Sequence, residues 1–380
     1  MSVKVDAGTS GGAGIRSTRL RVESEAVYAG TAAGVVCGIV AFTLFIGRMT
    51  PLWGGDGLWV GAVAAIAALL AGIIVGYVGY WRSRHRPGQE WRLRIRPWKF
   101  VLDATTVALV HAALAAIFTA SVFVVLQRSF DGLEVDVIIG TIAVVAAAGA
   151  SAYLIYLSVS EITTRKMATL LVSFMALSTL ASIAAVEDEY WWEYHFSQLG
   201  TAGDFSAWMF NTTLIVAGFF VTTFTLYLHR DLTTLVERGV LVHRWAPRFL
   251  SVTFVILGVM LAGVGLFPVD VNMAVHNGCA SGMAAAFAVM VLGSPYILKG
   301  LPRRFFVICY VTFAVLIVSF LLFTPVAYYN LTAFELVAFT IIFSWITVFI
   351  RFVDAVVAAT SDAAAPPAPP TTEVVPEAVS

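Results

Sequence analysis

The sequence predicts an all-α protein, a polytopic transmembrane helical bundle of about ten spans with both termini cytoplasmic. Three observations predict it. Of 380 residues, 59% are hydrophobic and only 12% charged, at a mean hydropathy of +0.88. A water-soluble chain needs about a quarter of its residues charged to cover its surface. The apolar residues also fall in continuous runs of about 20, the length at which a helix crosses the hydrocarbon core. Finally, 21 of the 23 Lys and Arg residues lie on one side when the N-terminus is placed inside, and cytoplasmic loops are where basic residues accumulate. Lys plus Arg equals Asp plus Glu at 23 each, which excludes a nucleic-acid partner gripped through bulk positive charge.

Taken in order, residues 1–26 mix Gly, Arg and Glu without a cleavable leader and read as a flexible cytoplasmic tail. Four spans follow in a membrane region over 27–160, near 27–47, 58–80, 101–126 and 136–160. Six more form a module over 167–353, near 167–186, 207–228, 249–267, 278–297, 305–323 and 331–353. Residues 354–380 are rich in Pro and Ala, have no periodic apolar face, and read as disordered. Lipid-facing strands would alternate over ten-residue segments, which these continuous runs do not.

Small residues recur every fourth position in the first span (Gly30, Gly34, Gly38), the second (Gly72, Gly76) and the eighth (Gly278, Gly282, Ala286). That spacing lets backbones approach, so these faces read as packing surfaces. The loop from Arg82 to Lys99 interleaves Trp with Arg, a pattern of topology-setting arginines that also suits anionic headgroups.

The three cysteines, Cys37, Cys279 and Cys309, sit in apolar runs without CxxC or Cys/His ligand spacing, so neither a disulfide framework nor a zinc site is expected. Ionisable groups within spans are few, and each is expensive to insert. Asp103 lies near the inner end of the third span, within reach of Lys99 or Arg96. His111 is the lone histidine at mid-depth, which excludes bis-histidine haem ligation and reads as a satisfied packing residue. No Walker loop or HExxH motif occurs, no GxGxxG follows a strand, and Ser197 sits in FSQLG without the GxSxG elbow, so no catalytic residue, metal or cofactor is assigned.

Polar residues converge on the outer side. Three outer loops carry Glu193, His195, Ser197 and Asp204, then Asp270, His276 and Asn277, then the approach to Glu335 one turn into the tenth span. With Asn211 at the start of the sixth span, these nine are the candidate ligand-binding residues, suited to a proton relay, a cation or a polar headgroup. The plainer reading is an interfacial belt of Trp191, Trp192, Tyr194 and Trp208 with solvated acids, and with Asn277 capping the eighth helix.

The segments HFSQLGT, AWMFNTTLIVAG and GVGLFPVDVNMAVHNGCASGMAAAF resemble the six-helix membrane family catalogued as domain of unknown function 998. A more distant similarity is to the DRAM/Frag/Sfk membrane proteins. The resemblance covers about 167–353 and rests on Ser197, Leu199, Gly200 and Asn211, then Phe267, Pro268 and His276. At His195–Phe196 the chain departs from the family, which often shows His-Pro and one more residue before the Ser. The resemblance implies a fold and a site without naming a reaction, and its distant relatives imply a lipid-related role.

The expectation is a multi-pass protein of a bacterial plasma membrane, with membrane lipids as partners, recognising a lipid or envelope component at its outer face. The alternatives are a proton-coupled secondary transporter using Asp103 or Glu335, and an intramembrane lipid hydrolase or transferase using Ser197, His195 and His276.

Overall fold

The computed structural model describes residues 10–363 except 55, 56, 87, 88, 131 and 202. The first nine residues of the expected N-terminal tail, and most of the Pro/Ala-rich tail, lie outside the described residues. Ten helices follow one another: α1 (Ser10–Phe45), α2 (Val60–Ser83), α3 (Pro97–Ser129), α4 (Val137–Ser160), α5 (Thr164–Ala185), α6 (Phe205–Glu237), α7 (Ala246–Leu266), α8 (Val269–Ile297), α9 (Arg303–Phe323) and α10 (Leu331–Ala363). All ten are long and apolar enough to cross a membrane, so the chain is an all-α multi-pass membrane protein. The only strands among the described residues are β1 (Thr50–Pro51) and β2 (Glu134–Val135), paired antiparallel.

Two corrections concern the ends. Residues 10–26 are helical and not a free tail, because α1 finds polar partners beyond the apolar run. Glu23 accepts from the Tyr153 hydroxyl, and Glu25 from Arg21, Arg82, Arg86 and Tyr156. At the other end α10 runs ten residues past its expected stop, to Ala363. There Arg238, just past the end of α6, donates to Val357 O and Thr360 Oγ1, both at 2.7 Å.

In α1, Val22, Ala26, Gly30, Gly34, Gly38, Ala41 and Phe45 form one buried stripe, the three-and-four spacing of a helical face. This stripe lies on α4, where the backbone of Gly149 approaches Gly30 so closely that a Cβ there would sit 2.8 Å from its carbonyl oxygen. α2 packs on both α3 and α4, using Gly72 and Gly76 against Ala112 and Ala108. The expected packing face of α8 is corrected in part: Ala286 is buried and Gly282 meets Met260, but a Cβ on Gly278 would face open space. α3 carries the first four helices against α5 and α6.

Asp103 lies on that α3 contact face with Phe100, Ala104, Val107 and Val110, and is 1% exposed. It therefore does not reach back to Lys99 or Arg96 as expected. Its Oδ1 accepts from Thr223 Oγ1 on α6 at 3.0 Å, while Oδ2 has no hydrogen-bond partner. His111 has both ring nitrogens engaged, Nδ1 with Val107 O at 2.7 Å and Nε2 with Ser158 Oγ at 2.9 Å, a satisfied packing histidine.

Beside Asp103, the α2–α3 connection folds inward and buries Arg92 to 1% exposure. Its Nη1 donates to Ser83 Oγ at 2.8 Å, and its guanidinium carbon lies 4.5 Å from the Tyr80 ring centre and 5.4 Å from that of Tyr227. The two tyrosine hydroxyls are 3.0 Å apart. One arginine of this basic loop is thus enclosed by aromatic rings, which hold a guanidinium by cation–π attraction and stacking.

Loops that the basic-residue pattern assigns to one side do meet. β1 and β2 join the α1–α2 and α3–α4 connections, and Asn330 Nδ2 donates to Trp192 O at 2.6 Å, joining α9–α10 to α5–α6. At the opposite end Val242 N–H donates to Lys299 O at 3.0 Å, joining α6–α7 to α8–α9. With the native cysteines removed, a cysteine at Glu189 is expected to react with a membrane-impermeant maleimide on intact cells, and one at Arg94 only after lysis. Labelling of both on intact cells would defeat the ten-span arrangement.

Candidate functional site

Between α5 and α6 the chain forms two 3-10 turns, Trp191–Glu193 and Phe196–Gly200. The second is seated against α6, α8 and α10. It is anchored by apolar groups: the buried Phe196 ring meets Phe210 edge-on at 5.3 Å and Phe339 at 5.8 Å, and Leu199 is 1% exposed. At the end of the turn Asn211 Nδ2 donates to Gly200 O at 2.8 Å. Glycine is needed there, because a Cβ on Gly200 would lie 2.5 Å from Asn211 Oδ1.

Around this turn four of the candidate side chains assemble. Glu335 Oε2, from α10, accepts the Phe196 N–H at 2.5 Å. His195 Nδ1 and Ser197 Oγ are 3.1 Å apart, both half-buried. His276 is 5% exposed, its Nδ1 2.9 Å from Phe267 O. A carbonyl only accepts, so Nδ1 of His276 carries a proton and donates it to Phe267 O. Burial, and next the neighbouring His276, hold the His195 imidazole below its ordinary pKa. A hydroxyl, two imidazoles and a carboxyl group thereby collect about one loop.

The other candidates are placed differently. Asn211 holds the turn shut, and Asp204 caps α6 by accepting from Ala207 N–H at 2.7 Å. Glu193, Asp270 and Asn277 are exposed. The expected cap at Asn277 is corrected, since α8 begins nine residues before the expected span, at Val269. Its turns are interrupted at Asn272 (φ −158°, ψ 89°), and Asn272 Oδ1 accepts from Val275 N–H at 3.1 Å, capping the longer part of the helix. The polar run DVNMAVHN resembles a loop but forms the first turns of α8.

Sequence reasoning missed Asn330, which caps α10 through Ala333 N–H at 3.0 Å and, as above, holds the Trp192 carbonyl. An Asn directly before an apolar helical run was the signal available. Among the described residues, no three His, Cys, Asp or Glu side chains converge in a way that would hold a metal ion. Around the site Tyr190, Trp192, Tyr194, Phe205 and Trp208 are each at least half exposed, as aromatic residues at a bilayer interface are.

No curated protein and no solved structure matches the chain. One family model does, over residues 167–351, from the first turn of α5 through most of α10. This span holds every candidate residue and both 3-10 turns, and it is similar to the family described as protein of unknown function (DUF998).

Proposed function

We propose that the DUF998 portion recognises the polar end of a lipid or envelope component at the outer face of a bacterial plasma membrane, without chemistry of its own. The observation that carries this reading is the seated turn, where half-buried His195 and Ser197 lie beside His276 and Glu335 within a collar of exposed aromatic rings. Rings at interfacial depth suit the glycerol and upper-chain region of an amphiphile, while the hydroxyl and imidazole nitrogens suit its phosphate and hydroxyl groups. The high Arg, Ala and Val content supports a bacterial origin.

The test uses full-length protein in bilayers containing a phosphatidylglycerol whose headgroup carries a photoactivatable group. Adducts are expected on residues 190–211. His276→Ala or Glu335→Gln should lower them about fivefold or more, since an unbalanced buried polar group costs about 1–3 kcal/mol. Glutamine keeps an acceptor for the Phe196 amide, so Glu335→Gln separates recognition from folding. Ser197→Ala should retain most of the adduct.

A hydrolase or transferase reading is favoured by one observation, the Ser197 Oγ to His195 Nδ1 contact of 3.1 Å, the pairing of a nucleophile with its base. Against it, Glu335 is committed to the Phe196 amide and does not orient His195. Release of fatty acid or glycerol from the same lipid, abolished by Ser197→Ala, would replace the binding reading with this one.

A further inference from the structure

A cavity separate from that turn lies in the first four helices. It is an open groove of about 1050 Å³ between α1 and α2, with a lining that is almost wholly apolar. α1 and α2 barely touch each other, each packing instead on α4, so the space between them is a consequence of the fold. Small side chains, Ala29, Ala33, Ala67 and Ala71, line it, and Cys37 lies midway along. From Tyr28 to Leu44 its α1 wall rises about 24 Å, most of the hydrocarbon depth.

Its two ends differ. One is lined by Leu44 and Leu58. The other ends on Glu25, Arg82 and Tyr156, at the arginine-rich side assigned to the cytoplasm. There Glu25 is shared by Arg21 at 3.2 Å, Arg82 at 3.2 Å and Arg86 at 2.9 Å, and its second oxygen also accepts from Tyr156 at 2.6 Å. One carboxylate is thus saturated by three guanidiniums, and the nearby Glu23 is held by Tyr153. Arg82 is 55% exposed and Arg21 77%, each with donor groups left over, and Arg86 Nη1 is buried without a partner. The mouth of the groove therefore carries surplus positive charge directly above an apolar channel.

We infer that the α1–α2 groove is a binding site for an anionic phospholipid of the cytoplasmic leaflet, with an acyl chain along Ala33, Ala67 and Ala71 and the phosphate at Arg82. One leaflet supplies about 15 Å of chain. From Tyr28 that reaches Cys37, roughly 14 Å along α1. The phosphate meets a guanidinium already held in place by Glu25, so little side-chain freedom is lost on binding. The site is separate from the outer turn and does not depend on the reading given for it.

The experiment uses full-length protein in phosphatidylcholine bilayers with a minor fraction of phosphatidylglycerol bearing a diazirine at the end of one acyl chain. Adducts should map to α1 and α2 near Cys37 and Ala67. Arg82→Gln should lower the yield about fivefold, the loss expected for one basic residue facing an anionic headgroup, while Arg82→Lys retains most of it. Ala67→Leu, remote from the charges, should lower it by narrowing the groove. Equal yield from the matching phosphatidylcholine probe would overturn the selectivity for an anion. Adducts spread evenly over all lipid-facing helices, or confined to residues 190–211, would overturn the groove site, and the second pattern would leave the outer-face reading intact. Efficient Cys37 to Cys37 cross-linking between two chains would assign the groove to a second copy instead.

Discussion

Gly218→Val is expected to be the most damaging single substitution in the DUF998 portion, with the protein lost from the monodisperse fraction or its melting temperature sharply lowered. Gly218 on α6 and Gly258 on α7 face each other with backbones in contact. A Cβ at Gly218 would collide with the Gly258 carbonyl and lie 2.7 Å from Ala262 Cβ and 2.8 Å from Ala262 N. The obstacles are mostly backbone, so neither helix can yield by a rotamer change and the pair must separate. Overpacking a core costs about 1–3 kcal/mol where side chains can adjust, and the cost here lies at or above the upper end. Gly278→Ala is the control: nothing lies within 4 Å of the added atom, so stability should stay level or rise by up to about 1 kcal/mol from helix propensity. Equal melting temperatures for wild type and Gly218→Val would refute the close α6–α7 contact.

Arg92→Ala should be nearly as severe, at about 3–5 kcal/mol, because it empties a fully enclosed position walled by aromatic rings. Ser83 loses its donor at 2.8 Å, and the Tyr80 and Tyr227 rings lose the cation between them. Lysine cannot reproduce a planar group stacked on one ring and bonded to a hydroxyl, so Arg92→Lys should recover less than half of the loss. Arg92→Met fills the volume without the charge and should fall between alanine and wild type. Thermal unfolding of the purified variants in one detergent checks the order, and full stability in Arg92→Ala would show that the enclosed guanidinium is dispensable.

The outer turn divides into what the chain displays and what it hides. His195 and Ser197 are two residues apart, so their contact was close to legible as written. The Phe196 amide and Glu335 are 139 residues apart, and nothing in either segment announces the other. Asp204 and Asp270 looked alike as loop acids, yet Asp204 caps α6 while Asp270 stays exposed. The difference is whether a free helix N–H happens to point at the carboxylate, which is a matter of where the helix starts. That start was misjudged for α8, because the first turns carry Asp, Asn and His at a density ordinary for loops.

The ten crossings, the class of the protein and its likeness to DUF998 were readable without coordinates. Each depends on a demand that the solvent makes locally: hydrocarbon requires a run of about 20 apolar residues with every backbone group bonded within its own helix, and basic residues stay where they need not cross. Helix faces were partly readable too, since the stripe from Val22 to Phe45 repeats at helical spacing. Which face meets which was not. Asp103 finding Thr223, Arg92 enclosed by Tyr80 and Tyr227, and the groove left between α1 and α2 all arise from the packing of helices distant in sequence. Periodicity records that a residue will be buried, but its partner is set by backbone approach and side-chain volume across an interface, which exist only once the helices are assembled.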